Sequence, residues 1–272
     1  MSNEEIHGVN LYYERTGAGS PPLLLVHGYT GSSHDFALVV PELETDREVV
    51  TVDHRGHGQS TKTGSLDGYD FDTLVGDLGA FVDRVVGGPI DLLGHSMGGR
   101  IALGLVAERP DLVRSLILMD TSAWSFTPSE PAVAEMVQGF FASYDPADPP
   151  ERPVLGPEVG LIEQTTPVEW QDRKAEMDAA VDPYAIKALG QALFSDDGVS
   201  MRDHLAAIGC PVTVIVGELD GDLADQAPEL AASVPDGRLE VIAGAYHSPQ
   251  LTHRDQWVAA VKRHLARTPA AG

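Results

Sequence analysis

The chain alternates short runs of branched apolar residues with longer segments whose apolar positions recur every three to four residues. Pro21–Gly28 (PPLLLVHG) and Glu48–Gly56 (EVVTVDHRG) are two such runs. Both are continuous rather than alternating, the pattern of strands covered on both faces. Upstream, NLYYERTG reads as a strand ending in a turn. Over residues 69–86, Phe71, Leu74, Val75, Leu78, Phe81, Val82 and Val85 fall on one face of a helix. PIDLLG follows as a strand, GGRIALGLVAERP as a helix and RSLILMD as a strand. Buried strands alternating with helices predict a parallel, doubly wound α/β sheet.

The rhythm breaks at Ser122. As far as Ala207 no strand-like run occurs, and prolines and acidic residues punctuate short helical stretches. About 85 residues is too long for a plain connection in a compact domain. The expected organisation is a core domain of residues 1–121 and 208–272, interrupted by a helical insertion over 122–207. Strands resume with PVTVIVG and RLEVIAG, and RDQWVAAVKRHLA closes the pattern as a helix.

Composition narrows the function classes. A chain of 272 residues with 43% hydrophobic residues can bury a substantial core. The formal net charge of −23 argues against nucleic acid and anionic membranes as partners, because phosphate binding needs clustered Lys and Arg. No apolar run is long enough to span a membrane. The acidic start MSNEEIHGVN lacks the basic and apolar stretches of a secretory signal. The single cysteine, Cys210, precedes a buried strand and reads as a small apolar residue. Together these features predict a cytoplasmic protein acting on a small molecule. They set no oligomeric state.

The candidate chemistry centres on Leu92–Leu103, LLGHSMGGRIAL. Gly94-His95-Ser96-Met97-Gly98 is a G-x-S-x-G pattern between a strand and a helix, the setting of a nucleophile elbow. The turn lifts the serine Oγ above the sheet edge. The glycines make room for chain segments that leave no space for a Cβ. A serine nucleophile needs a base, and the base an orienting acid, in the chain order Ser, acid, His. Four histidines follow Ser96: His204, His247, His253 and His264. His247, in the loop after RLEVIAG, is the expected base. Asp220, just past VTVIVG, is the expected acid. Asp120, which ends SLILMD, is its rival, and Asp222 and Asp225 lie further along the loop. Backbone N–H groups of Met97 and Tyr29 are the expected oxyanion donors. His27 reads as a loop-holding residue. His54 and His57 lack a third ligand and read as a structural turn rather than a metal site. No metal or cofactor is expected.

Taken in order, LLLVHGYTGSS, VVTVDHRGHGQS, LLGHSMGGRIAL, RSLILMDTS, PVTVIVGELD and IAGAYHSP resemble the α/β-hydrolase family, in the group that carries a helical cap. The resemblance covers nearly the whole chain outside 122–207. It implies an α/β-hydrolase fold with a mostly parallel sheet of about eight strands. It also implies Ser96, Asp220 and His247 as a triad, with Tyr29 and Met97 forming the oxyanion hole. Where the family commonly has G-x-G-H, this chain has Gly244-Ala245-Tyr246-His247.

The reaction implied first is hydrolysis of a small to medium, mainly apolar carboxylic ester or lactone. Arg100 in SMGGR is similar to the menaquinone-pathway synthase that eliminates pyruvate, so a cofactor-free lyase is the alternative. A non-catalytic small-molecule binder on the same scaffold is the third reading. The insertion carries few cations (Arg152, Arg173, Lys174, Lys187 and Arg202) among many carboxylates, which disfavours a polycarboxylate pocket. Trp124, Phe140, Phe141, Tyr144 and Trp170, with Tyr246, are the expected pocket walls.

Overall fold

The computed structural model describes residues 2–150, 156–195 and 200–268. Arg152 lies outside the described residues. Eight strands form one sheet: β1 (Ser2–Ile6), β2 (Val9–Thr16), β3 (Leu23–Val26), β4 (Val49–Val52), β5 (Ile90–His95), β6 (Val113–Met119), β7 (Val212–Gly217) and β8 (Gly237–Ile242). Their order is β1-β2-β4-β3-β5-β6-β7-β8. β1 and β2 pair antiparallel, as do β2 and β4, and every other pair is parallel. The β1–β2 hairpin turns on His7 and Gly8, both at positive φ (48° and 80°), the backbone that matches the twist of the flanking strands.

The continuous apolar runs are explained by helices on both faces. Leu24, Val26, Val50, Val52, Leu92, Leu116 and Leu118 point to one face. There they meet Leu74, Leu78 and Phe81 of α2 (Phe71–Phe81) and Ile101 and Leu105 of α3 (Met97–Glu108). Their neighbours Leu23, Leu25, Leu93, Ile117 and Met119 point to the other face. They pack on Leu43 of α1 (Val40–Leu43) and on Trp257, Val258 and Val261 of the last helix. A strand in the middle of such a sheet has no polar face to show, so period-two alternation is lost.

Between β6 and β7 the described residues form helices only: α4 (Pro131–Ser143), α5 (Glu158–Thr165), α6 (Val168–Ala179), α7 (Pro183–Leu193) and α8 (Arg202–Leu205). The Met201 N–H donates to the Ala123 carbonyl at 2.8 Å and ties the two ends of this excursion together. The N-terminus of α7 is fixed to the sheet side. Asp182 caps it by accepting from the Tyr184 N–H, and also accepts from the Tyr69 hydroxyl at 2.7 Å. The chain then completes α9 (Gly221–Ala232), α10 (Pro249–Thr252) and α11 (Arg254–Arg267).

No helix among the described residues is long and apolar enough to cross a membrane. Trp257 is fully buried, and its indole N–H points at the Met119 sulfur, 3.1 Å away. Trp257→Ala should therefore destabilise the fold by about 3–5 kcal/mol. A lowered denaturant midpoint with an unchanged m-value in urea unfolding would check it.

Candidate active site

Ser96 sits at the C-terminal end of β5, where the strand turns into α3, with φ 53° and ψ −119°. A non-glycine residue there is strained and persists only if its surroundings enforce it. The enforcement is visible. The Ser96 N–H donates to the Met119 carbonyl at 2.9 Å, and the Thr121 hydroxyl donates to the Ser96 carbonyl at 2.6 Å. A Cβ on Gly94 would lie 2.4 Å from the Gly98 carbonyl oxygen, and one on Gly98 would lie 2.5 Å from that of His27. Both glycines are steric requirements of the turn.

His247 lies in the loop after β8, and Asp220 just past β7. His247 Nδ1 donates to Asp220 Oδ2 at 2.9 Å. Burial alone would lower the imidazole pKa. The Asp220 carboxylate and its hydrogen bond, together with Glu158 on α5, outweigh that and raise it above the ordinary histidine value. The other histidines after Ser96 are placed elsewhere. His264 is buried against Thr213, His253 bonds Thr252 at the start of α11, and His204 is exposed on α8. Asp222 is used by the N–H and hydroxyl of Ser129.

Asp120, the rival acid, is fully buried next to Asp220. One oxygen of each carboxylate and a ring nitrogen of His247 lie within 4.8 Å of one another. The His247–Asp220 bond already joins two of the three.

Met97 opens α3, so its N–H is among the first-turn donors that have no partner inside the helix. The loop after β3 passes so close that a Cβ on Gly28 would touch the Ser96 Cβ at 3.0 Å, and Tyr29 comes next. His27 holds this loop in a single tautomer. Its Nδ1–H donates to the Gly28 carbonyl at 2.8 Å, and its Nε2 accepts from the His54 N–H at 3.0 Å. Burial, with His54 and His57 alongside, keeps His27 well below the usual histidine pKa and neutral. His54 and His57 pack their rings on His27 as a structural cluster. Burial pushes the Cys210 thiol up to about 11, far from a thiolate nucleophile.

Two cavities flank Ser96. One, of about 370 Å³, has apolar walls from Phe126, Leu193, Phe194 and Leu223, and also meets Tyr29, Asp220 and His247. The other, of about 310 Å³, is lined by Trp170, Ile162, His95 and Gln250, with Asp35, Glu163, Lys174 and Asp178. Of the six expected wall residues, Trp170 alone lines either cavity. Phe140, Phe141 and Tyr144 pack among themselves, with Phe141 stacked on Phe194 at 5.7 Å, so they support the wall from behind. Trp124 packs on the core with Arg202 over its ring. Tyr246 is half-buried and faces neither cavity, because the loop turns its neighbour His247 inward instead. Leu193 and Leu223 line the first cavity and are outside the expected walls. Each sits on a helix face that reads as ordinary core packing until the insertion is folded over the sheet edge.

Comparison with known proteins gives the family. The chain matches the family described as alpha/beta hydrolase fold over residues 21–254. It is 29% identical over 269 residues to a pimeloyl-[acyl-carrier protein] methyl ester esterase of Chromobacterium violaceum, covering 94% of this chain and 98% of that one. It is 26% identical over 264 residues to the dihydrolipoyllysine-residue acetyltransferase component of the acetoin cleaving system of Cupriavidus necator, covering 96% of this chain and 68% of that protein. Two further relatives are matched over only 36% and 34% of their own length. Among solved structures, a thermophilic esterase from Thermogutta terrifontis superimposes with a TM-score of 0.77 at 23% identity, covering 98% of this chain and 99% of that one. The chain belongs to the α/β-hydrolase fold family.

Proposed function

We propose that this hydrolase cleaves uncharged carboxylic esters or lactones, with Ser96 as nucleophile, His247 as base and Asp220 as the acid that orients it. The observation that carries this is the 2.9 Å His247–Asp220 bond on the wall of a cavity that Ser96 also lines. The raised His247 pKa fits a group that must accept the Ser96 proton and then return it.

His247 takes the Oγ proton as Oγ bonds to the acyl carbon. The carbonyl oxygen becomes an anion and receives the Met97 and Tyr29 N–H groups. The acyl–oxygen bond then breaks, and His247 delivers its proton to the leaving alkoxide. Water, activated by His247, releases the acid from Ser96 by the same steps. In a lactone the leaving oxygen stays tethered to the acyl group.

The cavities favour an uncharged substrate. Lys174 is the one lysine or arginine on either wall among the described residues, and it is already paired with Asp178 and Asp35. Arg100 supports this reading over the lyase alternative. It donates to the Trp124 carbonyl at 3.1 Å, lies over the Phe71 ring and lines neither of the two cavities. The strained Ser96 backbone counts against a mere binder, which has no use for a serine held at positive φ.

A fluorophosphonate probe should label the wild type and not Ser96→Ala; equal labelling of both would remove Ser96 from the mechanism. Asp220→Asn should lower kcat by about 10⁴-fold, as loss of the orienting carboxylate does in a serine triad. Among esters of one alcohol, kcat/KM should rise with apolar acyl length, and a terminal carboxylate on the acyl group should cost about tenfold or more in kcat/KM. The acid limb of kcat/KM should fall above the ordinary histidine value of about 6.5. Glu158→Gln, which removes one of the charges that raise His247, should move that limb to lower pH.

A further inference from the structure

We propose that Asp120 is a neutral carboxylic acid that donates its proton to Asp220, making it a positioning residue for the acid of the triad. This rests on the reading of Ser96, His247 and Asp220 given above.

The geometry leaves Asp120 few alternatives. It follows β6 directly, at φ 45°, a strained backbone that turns its side chain into the interior. The carboxyl is fully buried. Its Oδ1 accepts from the Gly217 N–H at 2.8 Å, while Oδ2 finds no donor. The charged groups that raise its pKa, Asp220 and Glu158, are both acidic. His247 completes the cluster, but its Nδ1–H is given to Asp220.

An ionised Asp120 would therefore place a bare carboxylate oxygen, without a donor, beside a second carboxylate. A fully buried carboxyl this close to a second carboxylate resists ionising. One proton on Asp120 Oδ2 removes both penalties, because the orphaned oxygen becomes a donor and Asp220 its acceptor. Burial and the Asp220 charge both act to keep that proton in place.

Asp220 then accepts from two sides, from the His247 N–H and the Asp120 O–H. The pair keeps a single negative charge, which stabilises the imidazolium formed during attack. The proton also fixes the division of labour between the two aspartates. Asp220 is the acceptor of the pair because it already takes the His247 N–H, and Asp120 is the donor because its Oδ2 meets no N–H.

Infrared difference spectroscopy of the resting protein tests this without a substrate. At about pH 8, where an ordinary aspartate is ionised, the wild type should show a protonated-carboxyl C=O band that Asp120→Asn lacks. Asp120→Asn keeps an acceptor for Gly217 and a donor for Asp220, so its kcat for a p-nitrophenyl ester should stay within about threefold of wild type. Asp120→Leu removes both and should lower kcat by about 10–100-fold with little change in KM. The absence of an Asp120-dependent band would overturn the proposal, and so would a loss in Asp120→Asn as deep as that in Asp220→Asn. Failure of the parent reading looks different: no probe labelling of Ser96 and no ester turnover in the wild type, whatever the infrared spectrum shows.

Discussion

The strained turn at Ser96 is the constraint around which the site is arranged. A side chain at φ 53° is tolerated because the chain has no cheaper way to pass from β5 into α3. Gly94 and Gly98 approach within distances that leave no room for a Cβ, and two hydrogen bonds, one donated to the Met119 carbonyl and one accepted from the Thr121 hydroxyl, clamp the serine backbone. The same turn puts the serine Oγ at the sheet edge and aims the first amides of α3 at whatever reacts there.

The parallel sheet then gathers the remaining groups. β3, β5, β6, β7 and β8 all run the same way, so the loops after them open on one edge. Tyr29, Ser96, Asp120, Asp220 and His247 come from five different loops, far apart in sequence. They meet because each follows its strand by only a few residues. The His247–Asp220 bond, with Asp120 within 4.8 Å of both, gathers three of these loops. The His247 loop is reached from the insertion as well, where Glu158 accepts from the Ser248 N–H at 2.6 Å. Glu158, on a helix between β6 and β7, thus bears on the electrostatics of His247.

Charge separates the interior of the site from the bulk of the molecule. The chain carries a formal net charge of −23, yet the groups nearest Ser96 are arranged so that few charges stand alone. His27, His54 and His95 are buried and held neutral, and Lys174 lies between Asp35 and Asp178. Arg100 is turned away toward Phe71 and Trp124. Among the described residues these walls offer no unpaired lysine or arginine.

The sequence by itself determined the strand and helix alternation, the interruption after β6 and the elbow. It also put Asp220 and His247 at the ends of their strands. These follow from local rules: apolar runs too continuous to face water, glycines where no Cβ fits, and polar residues just past a buried strand. The tertiary structure alone decided which acid meets the base. Asp120 and Asp220 both follow apolar strands within a few residues, and the packing of β6 against β7 leaves Asp220 on His247 and buries Asp120 behind it. It also decided the walls. Phe140, Phe141 and Tyr144 have the same composition as a lining and the same spacing as a core. Spacing fixes which helix face is apolar, but it does not fix whether that face meets another side chain or an open cavity. That choice depends on how the insertion folds over the sheet, a contact between segments about a hundred residues apart that no local pattern records.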